Sequence, residues 1–191
     1  REPFSRLLSH WLYWRGRPDE EIERWRGWGD RVKQSHLPLT AFLKSRAVAC
    51  PTDNIVVRML LWPHPLIPDD DFISPCHDKI LLADARAQLS RFSLLDVIEN
   101  PDLEVRLREW LGIPLLLERS NVTGQVPRLL RRPLAEELTP EAFHLMEARS
   151  RLDLRLWHDV ARKSVQPRYL DNLRDRARLH SVARHAQLMA N

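Results

Sequence analysis

Glycine and cysteine are scarce in this chain, which has 5 glycines and 2 cysteines among 191 residues. So few glycines argue against a glycine-rich barrel, and Cys50 and Cys76 alone do not make a disulfide framework. Long apolar runs are also missing, since none approaches the roughly 18 residues that a membrane-spanning helix needs. No signal peptide is visible. We therefore expect a cytoplasmic protein, and leave open Golgi localisation or membrane anchoring through a segment that precedes this chain.

Proline, tryptophan and charged residues are abundant instead. The chain has 14 prolines, which favours helices whose ends are marked by proline. Its 7 tryptophans predict a Trp-rich core or a flat ligand surface. Apolar residues make up 43% and charged residues 29%, as is usual for a globular chain that can bury a real core. We predict a single domain over residues 1–191.

The spacing of apolar residues predicts a chain that is mostly helical. Residues 93–98 are typical of one short strand, and the proline-rich residues 63–77 of a surface loop that buries little. Asp53 and Asp78 are the expected caps of the helices that follow them. The predicted helices cover residues 3–16, 19–34, 39–48, 54–62, 79–91, 101–111, 139–163 and 168–189.

The first nine residues hold the clearest candidate site. Pro3 suits the first turn of a helix, which places Arg1 just before the helix and both Arg6 and Ser9 within its first turns. A guanidinium fork, a hydroxyl and the positive end of a helix dipole are groups that bind phosphate. The alternative is an ordinary amphipathic helix in which Ser9 bonds back to a backbone carbonyl.

The spacing R-x-P-x-x-R-x-x-S of residues 1–9 resembles the segment that binds the 3′-phosphate in sulfotransferases of the carbohydrate and bacterial type. These enzymes use 3′-phosphoadenosine 5′-phosphosulfate as cofactor. The resemblance assigns the phosphate to Arg1 and Ser9, and Arg6 either supports that site or packs. It implies an α/β, P-loop-kinase-like fold, to which this chain contributes helices and one or two short strands.

Other segments resemble the same family in the same order. Asn54 and Arg58 stand four residues apart and share a helix face, which the family turns toward its substrate. Phe92, Glu99 and Gly112 match a helix–strand–Glu–helix order, although Asp96 stands where the family has a glycine. Asp153 begins an Asp-x-x-Leu-Trp segment, which we interpret as a packing feature. A basic loop similar to one near the family's cofactor offers three further candidates, namely Arg119, Asn121 and Thr123.

The resemblance implies transfer of a sulfuryl group to a hydroxyl or an amine, on an acceptor that includes carbohydrates as one class. In the family, a cofactor-binding loop and the usual base come before the Arg1 motif. We therefore expect this chain to be the C-terminal portion of a longer protein, and the sequence assigns no catalytic residue.

Two alternatives come from other functional classes. One is a non-catalytic module that binds proteins through the same scaffold. The other is nucleic-acid binding through the basic C-terminal helix within residues 164–191, because residues 162–191 carry seven basic and only two acidic residues; a solvated or docked helix explains that charge as well. His64, Cys76 and His77 fit no zinc spacing, so we predict no metal site.

Overall fold

The structure is a computed structural model that describes residues 1–115 and 125–190. Short 3₁₀ turns lie at Gln34–His36, Arg46–Val48, Pro75–His77 and Arg128–Leu130. The α-helices are α1 (Pro3–Arg15), α2 (Asp19–Arg24), α3 (Gly27–Lys33), α4 (Leu39–Lys44), α5 (Ala49–Thr52), α6 (Ile55–Leu61), α7 (Asp78–Leu89), α8 (Leu103–Leu111), α9 (Leu134–Glu137), α10 (Pro140–Ser164), α11 (Pro167–Leu170) and α12 (Leu173–Ala190).

The prediction of an α/β, P-loop-kinase-like fold is wrong, because every regular element in residues 1–115 and 125–190 is helical. The strand predicted at residues 93–98 does not form. A strand needs a neighbouring strand to bond its backbone groups, whereas here Val97 N–H donates to the Asp96 side chain and Asn100 N–H to the Val97 carbonyl. These local bonds make a turn, and the chain is all-helical over the described residues.

The long helix α10 organises the packing because it contributes to three hydrophobic clusters in succession. Its Ala142 and Met146 pack with α1 and α4, and its Leu152 packs with α6 and α7. Further along, Trp157 and Ala161 form the third cluster with Val97, which precedes α8, and with Val165 and Leu173, which follow α10. The first cluster is the largest and buries Trp11 and Trp14 among its members, which are contributed mainly by α1 and α4.

The ends of α1 and α10 follow from their sequences. Pro3 and Pro140 each occupy the first turn of their helix, where a missing N–H costs nothing. Thr139 caps α10 by accepting the N–H of Ala142 at 3.1 Å. Gly112 ends α8 with φ at +67°, a left-handed conformation that glycine adopts without strain.

Several predicted helices are shorter or interrupted. The helix expected over 19–34 is split into α2 and α3 at Arg26, and the last one is split at Asn172, each residue having a positive φ. Helix α8 does not face a core as its apolar pattern suggests: it has no buried residue, and Trp110 is 54% exposed. Asp53 does not cap α6, and its carboxylate faces the loop instead.

The loop of residues 63–77 is held more firmly than its composition predicts. Ile67 and Ile73 are buried in the second hydrophobic cluster. The guanidinium of Arg58 donates to the Pro68 and Asp71 carbonyls, both at 2.6 Å, and Arg151 donates to the Ile73 carbonyl at 2.9 Å. Two apolar anchors and two arginines therefore fix a segment whose prolines and aspartates suggested little burial.

Candidate functional site

Arg1 and Ser9 meet on the surface of α1, as the opening motif predicts. The Arg1 guanidinium folds back along two turns of the helix, and its Nη1 lies 3.2 Å from Ser9 Oγ. Arg1 is exposed to solvent and Ser9 is partly exposed. The pair, called here the Arg1–Ser9 site, places a charged fork and a hydroxyl side by side, and both can donate hydrogen bonds to one anion.

The N-terminus of α1 itself is not open to a ligand in the way the sequence suggested. The buried carboxylate of Glu2 accepts the N–H of Ser5 at 2.7 Å, which caps the helix from within the chain. Its other oxygen accepts Arg178 Nε at 2.9 Å, which ties α1 to α12. The anion-binding capacity of this region therefore lies in the Arg1 and Ser9 side chains and not in free backbone N–H groups.

Both signs of charge surround the Arg1 guanidinium. Partial burial lowers the pKa of Arg1, and Glu99 opposes that shift while Arg184 on α12 adds to it. Glu99 is already engaged, because its two oxygens accept Glu2 N–H at 2.7 Å and Trp157 Nε1–H at 3.1 Å. Arg184 makes no ion pair among the described residues. The Arg1–Ser9 site is therefore positive on its α12 side.

His185 adjoins this positive region and is uncharged at neutral pH. It is fully buried, and its Nδ1 lies 2.7 Å from the Ser181 carbonyl, so Nδ1 must carry the proton that this oxygen accepts. Burial lowers the pKa of His185 to about 4, and the positive charges of Arg1 and Arg184 add to that shift. His185 therefore adds no charge to the Arg1–Ser9 site.

Arg6 faces the interior and not the Arg1–Ser9 site. Its Nη2 pairs with Asp153 of α10 at 3.2 Å, and the Asp153 side chain is fully buried. Asp153 also accepts the N–H groups of Val56 and Val57 at 3.2 and 3.1 Å. One carboxylate from α10 thus caps α6 and holds α1 at the same time, so the segment that we interpreted as packing has a polar role as well.

Asn54 is buried and bound to the backbone of α10. Its Oδ1 accepts the N–H groups of Leu152 at 2.7 Å and Asp153 at 3.4 Å, and its own N–H donates to the Arg149 carbonyl at 2.7 Å. Asn54 has φ +47° and ψ +50°, a left-handed conformation that asparagine tolerates better than most residues. Its side chain joins two helices and has no exposed surface for a substrate.

Arg58 is also committed to the protein itself. Its Nε donates to the Asp53 carbonyl at 2.9 Å, and its Nη2 pairs with the Asp53 carboxylate at 3.3 Å. The remaining donors reach the Pro68 and Asp71 carbonyls. The Arg58 side chain is only 5% exposed. We call Asp53, Asn54, Arg58, Arg151 and Asp153 the Asp53 cluster.

The two predicted pairs therefore do not open onto one cavity. Arg1 and Ser9 reach solvent, whereas Asn54 and Arg58 are buried in the Asp53 cluster. Arg6 links the two regions through Asp153. The other three cofactor candidates, Arg119, Asn121 and Thr123, lie outside the described residues.

Neither a metal-binding cluster nor a membrane-spanning helix occurs in the part of the chain that the structure describes. No group of three or more His, Cys, Asp or Glu side chains in residues 1–115 and 125–190 is arranged to hold a metal ion. His64 faces Asp84 at 3.3 Å, and the exposed Cys76 contacts Ser74 and His77. Among the described helices, none combines the length and the apolarity that crossing a membrane requires.

Two carboxylates hold α1 in place, and neither role was predicted: Glu2 was not a candidate, and Asp153 was interpreted only as a packing residue. Glu2 immediately precedes Pro3, the position from which a side chain caps a proline-started helix. Asp153 follows Leu152 within the apolar stripe of α10, where an unpaired charge would be costly. In the sequence, a carboxylate just before a helix-starting proline could have indicated the cap, and a carboxylate within an apolar stripe could have indicated a buried ion pair.

The chain was compared with three kinds of known protein. Neither protein-family models, nor characterised proteins, nor solved structures gave a match to this chain.

Proposed function

We propose that the Arg1–Ser9 site binds the 3′-phosphate of 3′-phosphoadenosine 5′-phosphosulfate and that the protein is a sulfotransferase. The reaction moves the sulfuryl group from the cofactor to a hydroxyl or amine of the acceptor and leaves 3′,5′-bisphosphoadenosine. The proposal concerns this site and this reaction, and it makes no use of the α/β fold.

The observation that carries the proposal is the contact between Arg1 Nη1 and Ser9 Oγ at 3.2 Å. The two residues are eight positions apart, and the side chain of Arg1 crosses two helical turns to reach the hydroxyl. A guanidinium and a hydroxyl at this spacing fit two oxygens of a phosphate, because both groups donate hydrogen bonds and one is charged. This agrees with the roles that the sequence resemblance implies for the same two residues.

The surroundings support an anion at this position. Glu2 and Glu99, the nearby carboxylates, are held by Arg178, Trp157 and backbone N–H groups. Arg184 adds positive charge to the α12 side of the site. Arg6 does not take part as a ligand in the proposal, since it pairs with Asp153 and fixes α1 in place.

The proposal assigns the acceptor to neither Asn54 nor Arg58. Both residues bind the protein's own backbone and carboxylates, so an acceptor would have to compete with buried hydrogen bonds. The transfer step itself is not assigned to a residue of this chain.

The test is calorimetric titration of the full-length protein with 3′,5′-bisphosphoadenosine and, separately, with adenosine 5′-phosphate, which lacks the 3′-phosphate. The wild type should prefer the bisphosphate. A charge-assisted hydrogen bond contributes about 1.5–3 kcal/mol, so Arg1→Ala should weaken bisphosphate binding by about ten- to a hundredfold. It should leave the weaker binding of adenosine 5′-phosphate unchanged.

Arg24→Ala is the matched control, since Arg24 is an exposed arginine in α2, beyond the opposite end of α1. It should change neither affinity. Equal binding of the two nucleotides by the wild type would remove the phosphate assignment. Selective binding without sulfuryl transfer to any hydroxyl or amine acceptor would instead favour the non-catalytic module.

A further inference from the structure

A second candidate site lies away from the Arg1–Ser9 site, in a cleft between α7 and the C-terminal half of α10. Its volume is about 360 Å³, within the usual range for small-molecule sites. Leu89, Leu95 and Val160 line it. Leu89 packs against the second hydrophobic cluster and Val160 against the third, so the cleft follows the seam between two cores. We call this the α7–α10 cleft.

Positive charge dominates the rim of the α7–α10 cleft. Arg86 pairs with Asp159 at 2.7 Å, which satisfies the one carboxylate that lines the cleft among the described residues. Arg162 and Lys163 also line it, are exposed, and make no ion pair within residues 1–115 and 125–190. The rim therefore has two positive charges that are not neutralised by a neighbouring carboxylate.

The combination of apolar walls and an unneutralised basic rim defines the ligand. The apolar walls favour an aliphatic or alicyclic body, since burying such surface contributes about 25 cal/mol per Å². Arg162 and Lys163 favour an anionic group at the mouth, where their aliphatic stems extend the apolar wall. A neutral ligand would gain only the burial of apolar surface. A small, highly charged ligand would gain only the pairing with Arg162 and Lys163.

We propose that the α7–α10 cleft binds a small amphipathic anion, whose apolar body packs on Leu89, Leu95 and Val160 and whose anionic group pairs with Arg162 and Lys163. The named occupant is a medium-chain aliphatic carboxylate. It makes contact with neither Arg1 nor Ser9, so this inference does not depend on the nucleotide site.

The test is calorimetric titration of the full chain with decanoate and with decanol, which share an aliphatic body and differ in the charge of the head group. Decanoate should bind more tightly than decanol, and added salt should reduce the difference because exposed ion pairs are screened. The double variant Arg162→Glu with Lys163→Glu should weaken decanoate binding by about tenfold and decanol binding much less, because decanol loses only the contact with the two aliphatic stems.

Lys79→Glu is the matched control, because Lys79 is exposed at the opposite end of α7 from Leu89. It should leave decanoate binding unaltered. Val160→Phe should fill the cleft and abolish binding of both ligands; if that variant does not fold, the exposed charge variants decide. Absence of decanoate binding, equal binding of decanol, or an unchanged affinity in the double variant would each overturn the proposal.

Discussion

Arg1 and Arg58 are both arginines that the sequence assigned to ligand binding, and the structure places them in opposite environments. Arg1 is exposed, and its one hydrogen bond among the described residues is to the Ser9 hydroxyl. Arg58 is buried and donates to three backbone carbonyls and one carboxylate. One guanidinium is open to an incoming anion, and the other holds the protein together.

Arg1 and Arg58 differ in how many of their guanidinium N–H donors are already bonded to the protein. A guanidinium carries five N–H donors in a fixed fork, and a ligand can use only those that the protein leaves free. Around Arg58, Asp53 supplies two acceptors and the loop of residues 63–77 supplies the other two, and none of these lies next to Arg58 in the sequence. Around Arg1, the nearby carboxylates are bonded to other groups. Residue type alone therefore does not distinguish a binding arginine from a structural one.

The largest expected effect is on stability, from Arg58→Ala. This change removes the nearer charged partner of Asp53, which has no exposed surface and keeps Arg151 at 3.7 Å, and it leaves the Pro68 and Asp71 carbonyls without their donor. Losses of this kind cost about 3–5 kcal/mol. Urea denaturation followed by circular dichroism should show that decrease in the free energy of unfolding.

Arg58→Lys sharpens this prediction, because lysine keeps the charge and lacks the planar fork. It should recover only a small part of the lost stability. Wild-type stability in Arg58→Ala, combined with a loss of acceptor binding, would restore the substrate role that the resemblance implied.

The second expected effect is a decrease in the free energy of unfolding at acidic pH, caused by protonation of His185 in α12. The pKa of His185 falls from 6.5 in its unperturbed state to about 4 in the folded protein, a difference of roughly 2.5 that corresponds to about 3 kcal/mol. Because the folded-state pKa is lowered, this stability is present above pH 6.5 and is lost as the pH falls toward 4. His185→Asn keeps a donor for the Ser181 carbonyl and should reduce the loss.

Asp53 and Asp153 should not contribute to that loss. Burial raises the pKa of both carboxyls despite their arginine partners. A carboxyl with a raised folded-state pKa favours the folded state at low pH and loses that contribution as the pH rises. Thermal unfolding of wild type and His185→Asn, measured at pH 7, 6, 5 and 4, distinguishes the contribution of His185 from that of the two carboxyls. If the melting temperatures of the two proteins fall in parallel as the pH is lowered, the assignment to His185 is contradicted.

Asp153→Asn should have the next largest effect. The substitution keeps the shape of the side chain but removes the charge that pairs with Arg6, and it presents an amide N–H₂ toward one of the Val56 and Val57 N–H groups, which are themselves donors. Loss of a charged hydrogen bond and an unsatisfied donor should cost about 2–3 kcal/mol in the free energy of unfolding. Amide hydrogen exchange should rise first at the start of α6, and uniform exchange across the chain would count against the capping role.

Ser9→Ala should have the smallest effect, and on binding only. Its hydroxyl adds one neutral hydrogen bond to the proposed phosphate, worth about 1 kcal/mol, so 3′,5′-bisphosphoadenosine should bind about fivefold more weakly. Ser9→Thr keeps the hydroxyl and serves as the control. A larger loss in Ser9→Ala than in Arg1→Ala, measured by the same titration, would reverse the proposed order of the two contributions.

The sequence predicted the ends of α1 and the start of α10, which local residues mark, and failed where tertiary contacts decide, as they do for the carboxylate of Asp53. Pro3, Gly16 and Thr139 gave the bounds of α1 and the start of α10 because caps and prolines act locally. The strand at residues 93–98 was wrong because a strand depends on a partner elsewhere in the chain. The apolar pattern of α8 indicated a buried face, but its apolar residues remain partly or largely exposed.

The same distinction applies to the candidate site. The resemblance of the opening motif assigned Arg1 and Ser9 to one ligand, and the two side chains lie 3.2 Å apart. The burial of Arg58 depends on Pro68 and Asp71 carbonyls, whose positions are fixed by the fold of the loop and not by any local pattern. Glu2 meets Arg178, a residue 176 positions away, so its part in tying α1 to α12 could not be read from the opening motif.

The most direct test of this account measures nucleotide affinity and unfolding free energy on the same two variants, Arg1→Ala and Arg58→Ala. The account predicts that Arg1→Ala weakens binding of 3′,5′-bisphosphoadenosine by about ten- to a hundredfold with little change in stability. Arg58→Ala should lower the free energy of unfolding by about 3–5 kcal/mol while the folded fraction binds the nucleotide normally. The opposite pattern, with Arg58→Ala losing affinity and Arg1→Ala losing stability, would contradict the division between a binding arginine and a structural one.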